Sequence, residues 1–318
     1  MSAPRVSPTT PRLAVVAGTG RSGTTLVTEL VARHPATGFV SGLDDRLWQV
    51  VPGGPAGRGN GTLYRAGGAR PSSMRALAEA GRLLERGRLR VRPSEGYRLL
   101  DHHVMPGFST VSRDLVADDL TPVVRDRLVA FVERRLAAQG ADVLVHHLTG
   151  WPRTGLLQAA LPGTRTVHVV RDGRAVAASW LQMGWWDGRR GPDRWIYGPL
   201  PADLHEEWER SGRDFVVLAA LGWRMLLEAA ERARAAAGPG TWHDLRYEDL
   251  LDDPRGRLEE ALAFLGLPWT PALQAGLRRH HRVERGRREA FRRELTPRQV
   301  AAVEAVLAEP LDRWGYAV

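Results

Sequence analysis

A glycine-rich turn set between an apolar stretch and a helical pattern, close to the N-terminus, constrains this chain more than any other segment. Leu13 to Ala17 is continuously apolar, Gly18-Thr19-Gly20-Arg21-Ser22-Gly23-Thr24-Thr25 follows, and Leu26, Val27, Leu30 and Val31 then recur at helical spacing. The order is strand, loop, helix. Gly18 and Gly23 stand where the two glycines of a G-x-x-x-x-G-K-[ST] loop stand, but Thr24 occupies the lysine position. Backbone N–H groups at the mouth of a helix still hold an anion. The point charge that reaches a γ-phosphate is missing, which argues against an ordinary kinase or ATPase.

The alternation continues downstream. Val143 to Val145 and Thr166 to Val170 are predicted strands, the second entering Arg171-Asp172-Gly173 and a helix from Arg174 through Trp180; Trp242 to Arg246 is another strand. Thr121-Pro122 is an N-cap and first-turn pair, so a helix should run to Gln139, with Val124, Leu128, Phe131, Val132 and Leu136 on one face, until Gly140 stops it. Asp253-Pro254 opens a helix ending at Gly266, and Thr296-Pro297-Arg298-Gln299 is a capping box for the last helix. Strands alternating with helices predict an α/β fold of three layers, αβα, with a mostly parallel central sheet and a P-loop-like phosphate-binding loop. Met1 to Thr10, rich in Pro, Ser and Thr, is predicted to be a disordered tail, and residues 11–318 a single domain. Gly53 to Arg70 is glycine-heavy and reads as a mobile surface loop.

Composition narrows the function classes. The 318 residues carry 43% hydrophobic content, enough to bury a full core. All 45 basic residues are arginine, and 45 minus 36 acidic residues leaves a net charge of +9. The arginines are dispersed, with no basic block of the kind a nucleic-acid arm needs, so nucleic acid is not an expected partner. Zero cysteines exclude disulfides, thiolate metal sites and cysteine nucleophiles. Without a signal-peptide core or an 18-residue uncharged apolar run, no membrane span is expected and a cytoplasmic protein is the default. No metal site is expected, because His102-His103 and His146-His147 are adjacent pairs, and neighbours on a strand point to opposite faces.

In a parallel sheet the loops at the carboxyl ends of the strands cluster, which would bring together the Gly18 to Thr25 loop, the turn Arg171 to Ser179 and the region of Tyr247. In these three segments the chain resembles the sulfotransferases that use 3′-phosphoadenosine-5′-phosphosulfate (PAPS) and release 3′-phosphoadenosine-5′-phosphate (PAP), with the likeness running from Leu13 to Tyr316. The resemblance is nearer the tyrosylprotein and carbohydrate branch than the cytosolic aryl branch. It implies that Gly20, Arg21, Ser22, Gly23, Thr24 and Thr25 hold the 5′-phosphosulfate end, and that Arg171 and Ser179 hold the 3′-phosphate. It also implies that Tyr247, in Arg246-Tyr247-Glu248-Asp249-Leu250, lies near the nucleotide, and that Arg285-Gly286-Arg287 belongs to a basic loop closing over the 3′-phosphate. The residue chemistry is compatible: a guanidinium presents forked donors suited to phosphate oxygens. A surface ion pair remains the alternative for Arg171-Asp172, and simple packing for Tyr247.

Sulfuryl transfer requires orientation of two partners and stabilisation of charge on the departing phosphate. Arg21 is placed for that second task. Many relatives direct a lysine at the transferring group from the strand or loop before the Arg171 strand; His147 stands there in this chain, and Thr149 stands where some relatives have a catalytic histidine. His147 is expected either to serve the phosphate side or to be a structural histidine at a strand end. For the general base, the branch resemblance points to Asp44 or Asp45, with Asp45 the first choice and Glu95, His102 and His103 as competitors.

Trp180, Trp185, Trp186, Trp195, Tyr197 and Trp208 crowd a glycine- and proline-rich stretch. They are either a lid over a small-molecule or carbohydrate acceptor, or a satellite core pinning a long loop. The function expected is sulfuryl transfer to a hydroxyl of a sugar, glycolipid or secondary metabolite. The alternatives are an ATP-dependent phosphotransferase with an atypical loop and a catalytically inactive nucleotide-binding protein.

Overall fold

A computed structural model describes residues 12–51, 53–66, 91–271, 273–275 and 288–316. Among these, five strands make one wholly parallel sheet: β1 (Leu13–Gly18), β2 (Thr37–Phe39), β3 (Val143–Thr149), β4 (Arg165–Val170) and β5 (Trp242–Arg246), in the order β2-β3-β1-β4-β5. The helices are α1 (Thr24–Val31), α2 (Gly42–Arg46), α3 (Asn60–Ala66), α4 (Tyr97–His103), α5 (Pro122–Gln139), α6 (Thr154–Ala160), α7 (Gly173–Trp180), α8 (Ala202–Arg210), α9 (Phe215–Ala236), α10 (Tyr247–Asp252), α11 (Pro254–Phe264), α12 (Phe291–Glu294) and α13 (Pro297–Arg313).

Both faces of the sheet are covered, as its continuous apolar strands require. On one face Ala14, Val16, Val143, Val145, Val167 and Val169 pack against α1, α10 and α11; on the other, Leu13, Val15, Ala17, Leu144 and Leu148 pack against α4, α5 and α6. A further core joins α7, α9 and α13. The layers are therefore the three that the alternation of elements predicts. None of the described helices is long and apolar enough to cross a membrane.

The chain leaves β1 toward β2 and β3 on one side, then crosses to β4 and β5 on the other, so β1 and β4 flank the point where the strand order reverses. Ligands in open parallel sheets bind at the carboxyl ends of strands at such a point. The loops after β1 and β4 both open there.

Helix ends follow their local chemistry. Thr121 accepts from the Val124 N–H, Gly140 turns left-handed at φ 60° after α5, and Thr296 and Gln299 form the reciprocal capping box of α13. Two expectations are corrected, and one strand is added. Three-residue β2 is too short for periodicity to reveal. Gly53 to Arg70 is not loop throughout: α3 lies within it, because Asn60 donates to the Phe39 carbonyl and to Asp44 Oδ2, and the Tyr64 ring meets Phe39 edge-on at 5.4 Å. The His102-His103 pair sits at the end of helix α4 rather than on a strand. The predicted disordered tail, residues 67–70 of the predicted loop and Arg285-Gly286-Arg287 lie outside the described residues.

Candidate active site

The loop after β1 owes its shape to backbone that side chains resist. Gly20 and Gly23 are left-handed at φ 80° and 99°, and Arg21 between them is also left-handed at φ 58°. A non-glycine residue there costs on the order of 1 kcal/mol, a strain that surrounding contacts must hold. Successive left-handed and turn residues aim N–H groups into one concavity, a shape that receives anions.

Close approach fixes the rest. A Cβ on Gly18 would stand 2.7 Å from the Val169 carbonyl oxygen, and one on Gly23 would clash with the Tyr247 ring, 2.7 Å from its Cε2. Gly23 is thus a glycine twice over, for its φ and for the tyrosine laid on it. Ser22 Oγ is buried in this cradle with no hydrogen-bond partner among the described residues, and a buried hydroxyl in that state is suited to an incoming oxygen ligand.

The β4 turn reaches the same place. Arg171 Nη1 donates to the Arg21 carbonyl at 2.9 Å, and its guanidinium lies 5.0 Å from the centre of the Tyr247 ring. Arg21 Nε donates to Ser179 Oγ at 3.0 Å. Arg21, Arg171, Ser179 and Tyr247, far apart in sequence, therefore converge on one loop. Asp172 caps α7 and holds the Arg174 guanidinium, which also pairs with Glu304 at 2.7 Å. Glu248 is buried and braces the turn, accepting from the Asp172 N–H at 3.2 Å and from the Tyr316 hydroxyl at 2.9 Å. Burial raises its pKa.

β3 extends through His146 and His147, past the predicted Val145. The period of two sends them to opposite faces. His146 enters the core of Leu13, Leu100, Phe108 and Leu144, where burial pushes its pKa down to about 3. His147 faces α1: its Nε2 is 2.8 Å from Thr24 Oγ1, and its Nδ1 is 3.8 Å from Glu95 Oε1. Burial lowers the pKa of His147 while the Glu95 carboxylate opposes that shift.

The five base candidates separate cleanly. Asp44 closes a capping box with Ser41 and accepts from Asn60 at 2.6 Å. Asp45 Oδ1 accepts from the Arg98 and Leu99 N–H groups at the start of α4, and burial raises its pKa. His103 faces the Trp48 carbonyl at 3.1 Å and His102 stacks edge-on against the Trp48 ring. Glu95 alone among them stands beside His147. It is held there because Ser94 N–H donates to the Val40 carbonyl and Gly42 N–H to the Arg92 carbonyl, which fastens the segment to the end of β2. Asp45→Ala should cost about 1 kcal/mol through the lost α4 cap; thermal unfolding checks it.

Tyr97 is a site residue that sequence reasoning passed over. Its hydroxyl donates to the Thr149 carbonyl at 2.9 Å and accepts from the Thr149 N–H at 3.0 Å, closing the end of β3 beside the loop. Its one sequence signal is its place two residues after Glu95.

The tryptophan-rich stretch is mostly core. Trp180, Trp186, Trp195, Tyr197 and Trp208 are buried, with Trp180 stacked on Tyr197 at 5.0 Å, and only Trp185 of the six is exposed, at 41%. This is the satellite-core alternative. Even so, its edge touches the site, since a Cβ on Gly20 would stand 3.9 Å from Trp180 Nε1 and 3.8 Å from Thr149 Cβ.

The chain matches the model of the sulfotransferase family over residues 14–271. No curated protein matches it. Among solved structures it is similar to a sulfotransferase from Mycobacterium avium, at 19% identity and a TM-score of 0.56, over 96% of this chain and 77% of that one. A sulfotransferase from Mycobacterium tuberculosis H37Rv aligns at 16% identity and a TM-score of 0.48, over 90% and 76% of the two chains. Retinol dehydratase, solved with androsterone and the inactive cofactor PAP, aligns at 17% identity and a TM-score of 0.40, over 95% and 81%.

Proposed function

We propose, on the premise that this chain belongs to the sulfotransferase family, that it moves a sulfuryl group from PAPS to a hydroxyl of a small-molecule or carbohydrate acceptor. The observation that carries this reading is the convergence of a second basic site, Arg171 with Ser179, on the loop that cradles an anion. A donor bearing phosphates at both ends of its ribose needs two such points.

The residues fit that donor. The N–H groups of Gly20 to Thr25 and the buried Ser22 hydroxyl would hold its 5′ end, and Arg171 and Ser179 its 3′-phosphate. Tyr247, laid on Gly23, would meet the nucleotide. Arg285-Gly286-Arg287 is assigned to the same phosphate from the sequence resemblance. The donor supplies an activated sulfuryl group on a phosphate leaving group. The protein's part is orientation and charge. Arg21 offsets the charge that grows on the departing phosphate, and Glu95 takes the proton of the acceptor hydroxyl. Asp45, whose Oδ1 accepts from two N–H groups of α4, positions the segment that carries Glu95. Sugars, glycolipids and secondary metabolites are the acceptor classes proposed.

Calorimetric titration with PAP and with ATP tests this. Wild type should prefer PAP, and Arg171→Ala should weaken PAP about 10- to 100-fold, the range for losing charge-assisted hydrogen bonds. No PAP binding, or preference for ATP, overturns it.

A further inference from the structure

We infer that His147 receives its charge from the donor: filling the Gly18 to Thr25 loop with a phosphate-bearing nucleotide draws a proton from solvent onto the His147 imidazole. The inference rests on the loop being the donor site, and it concerns how this chain works without a lysine at the position of His147.

The geometry is that of a neutral group poised between an acid and an anion site. His147 is 3% exposed, so a lone imidazolium there would be poorly solvated. On one side, 3.8 Å from Nδ1, is Glu95. On the other, 2.8 Å from Nε2, is the hydroxyl of Thr24, the residue that opens α1 directly beneath the anion-receiving loop. Among the described residues, the groups facing the ring can be named. The 91–96 segment brings Glu95, α1 brings the uncharged Thr24, β1 sets Val16 beside it in register, and its own strand brings His146 on the opposite face. Among the described residues, Glu95 is thus the neighbour that favours the charged form.

A phosphate or sulfate at the loop adds a second negative charge on the Thr24 side. An opposite charge within a few ångströms favours the charged form of a buried group, and here one would stand at each end of the ring. The hydrogen bonds can follow without any atom moving far. In the neutral ring with Nδ1–H toward Glu95, Nε2 accepts from the Thr24 hydroxyl. Once Nε2 is protonated it donates to Thr24 Oγ1 instead, and the Thr24 hydrogen turns toward the bound anion. One proton is gained from solvent and no other bond is made or broken. The site then carries the positive charge only when the donor is present, whereas a lysine would carry it always.

The test is PAP titration near pH 7.5 in two buffers of different ionisation enthalpy. Wild type should take up about half to one proton more than His147→Asn, and the difference removes any contribution from the phosphates of PAP itself, whose second ionisations lie near pH 6. His147→Lys should bind PAP with no such uptake. The His147 ring resonance, assigned by its absence from His147→Asn and followed by NMR with and without PAP, should move to the imidazolium position on binding. PAP binding with buffer-independent heat in wild type, or uptake that persists in His147→Asn, overturns the inference and leaves the donor assignment standing. Failure of PAP to bind wild type removes both.

Discussion

Arg21→Ala is expected to lower kcat by about 10²- to 10³-fold, the range seen when one charge-stabilising donor is removed from where charge develops. PAP affinity should fall much less. The reason lies in how Arg21 is built into the loop. Its carbonyl accepts from Arg171, and alanine retains that carbonyl. Its left-handed φ of 58° is about as costly for alanine as for arginine, so the loop keeps its shape and its N–H groups keep their aim. The guanidinium goes, and its bond to Ser179 goes with it. Arg21→Lys should recover part of the loss, because the charge returns without the planar fork. Single-turnover kinetics with saturating donor reads the chemical step directly. A kcat within threefold of wild type for Arg21→Ala would remove Arg21 from the transfer step.

Glu95→Gln is the second large effect, an expected loss of about 10²- to 10⁴-fold in kcat with the PAP dissociation constant little changed. Glutamine preserves the size of the side chain and removes the proton acceptor. The pH profile separates a base from a brace: an acidic limb present in wild type should be absent in Glu95→Gln. Asp45→Asn is the comparison. Its carboxyl already accepts two N–H groups of α4, and an amide oxygen still accepts both, so kcat should stay within about tenfold. A kcat for Glu95→Gln close to wild type, with a large loss in Asp45→Asn, would move the base to Asp45.

Local patterns made much of the architecture legible. The strand-loop-helix order at Leu13 to Val31, the caps at Thr121 and Thr296 and the strand Trp242–Arg246 all carry a residue pattern within a few positions, which sequence spacing records. Where long-range contacts set the local structure, spacing was silent. Asn60 orders a glycine-heavy stretch by bonding Phe39 and Asp44, and β2 exists only because β3 pairs with it.

The site divides along the same line. By itself, the sequence determined that a glycine-rich loop opens a parallel α/β sheet, that Arg171 and Tyr247 lie at strand ends and that Ser179 lies in the helix following Arg171, because glycine conformation and element periodicity are local properties. It could not choose among Asp44, Asp45, Glu95, His102 and His103, because all five are polar residues in irregular or short segments. What separates them is which hydrogen-bond donors the fold brings to each. Two carboxylates meet helix N–H groups, two imidazoles meet Trp48, and Glu95 meets His147 because the end of β2 fastens the 91–96 segment across the mouth of β3. That pairing spans 52 residues of sequence, and only tertiary structure decides it.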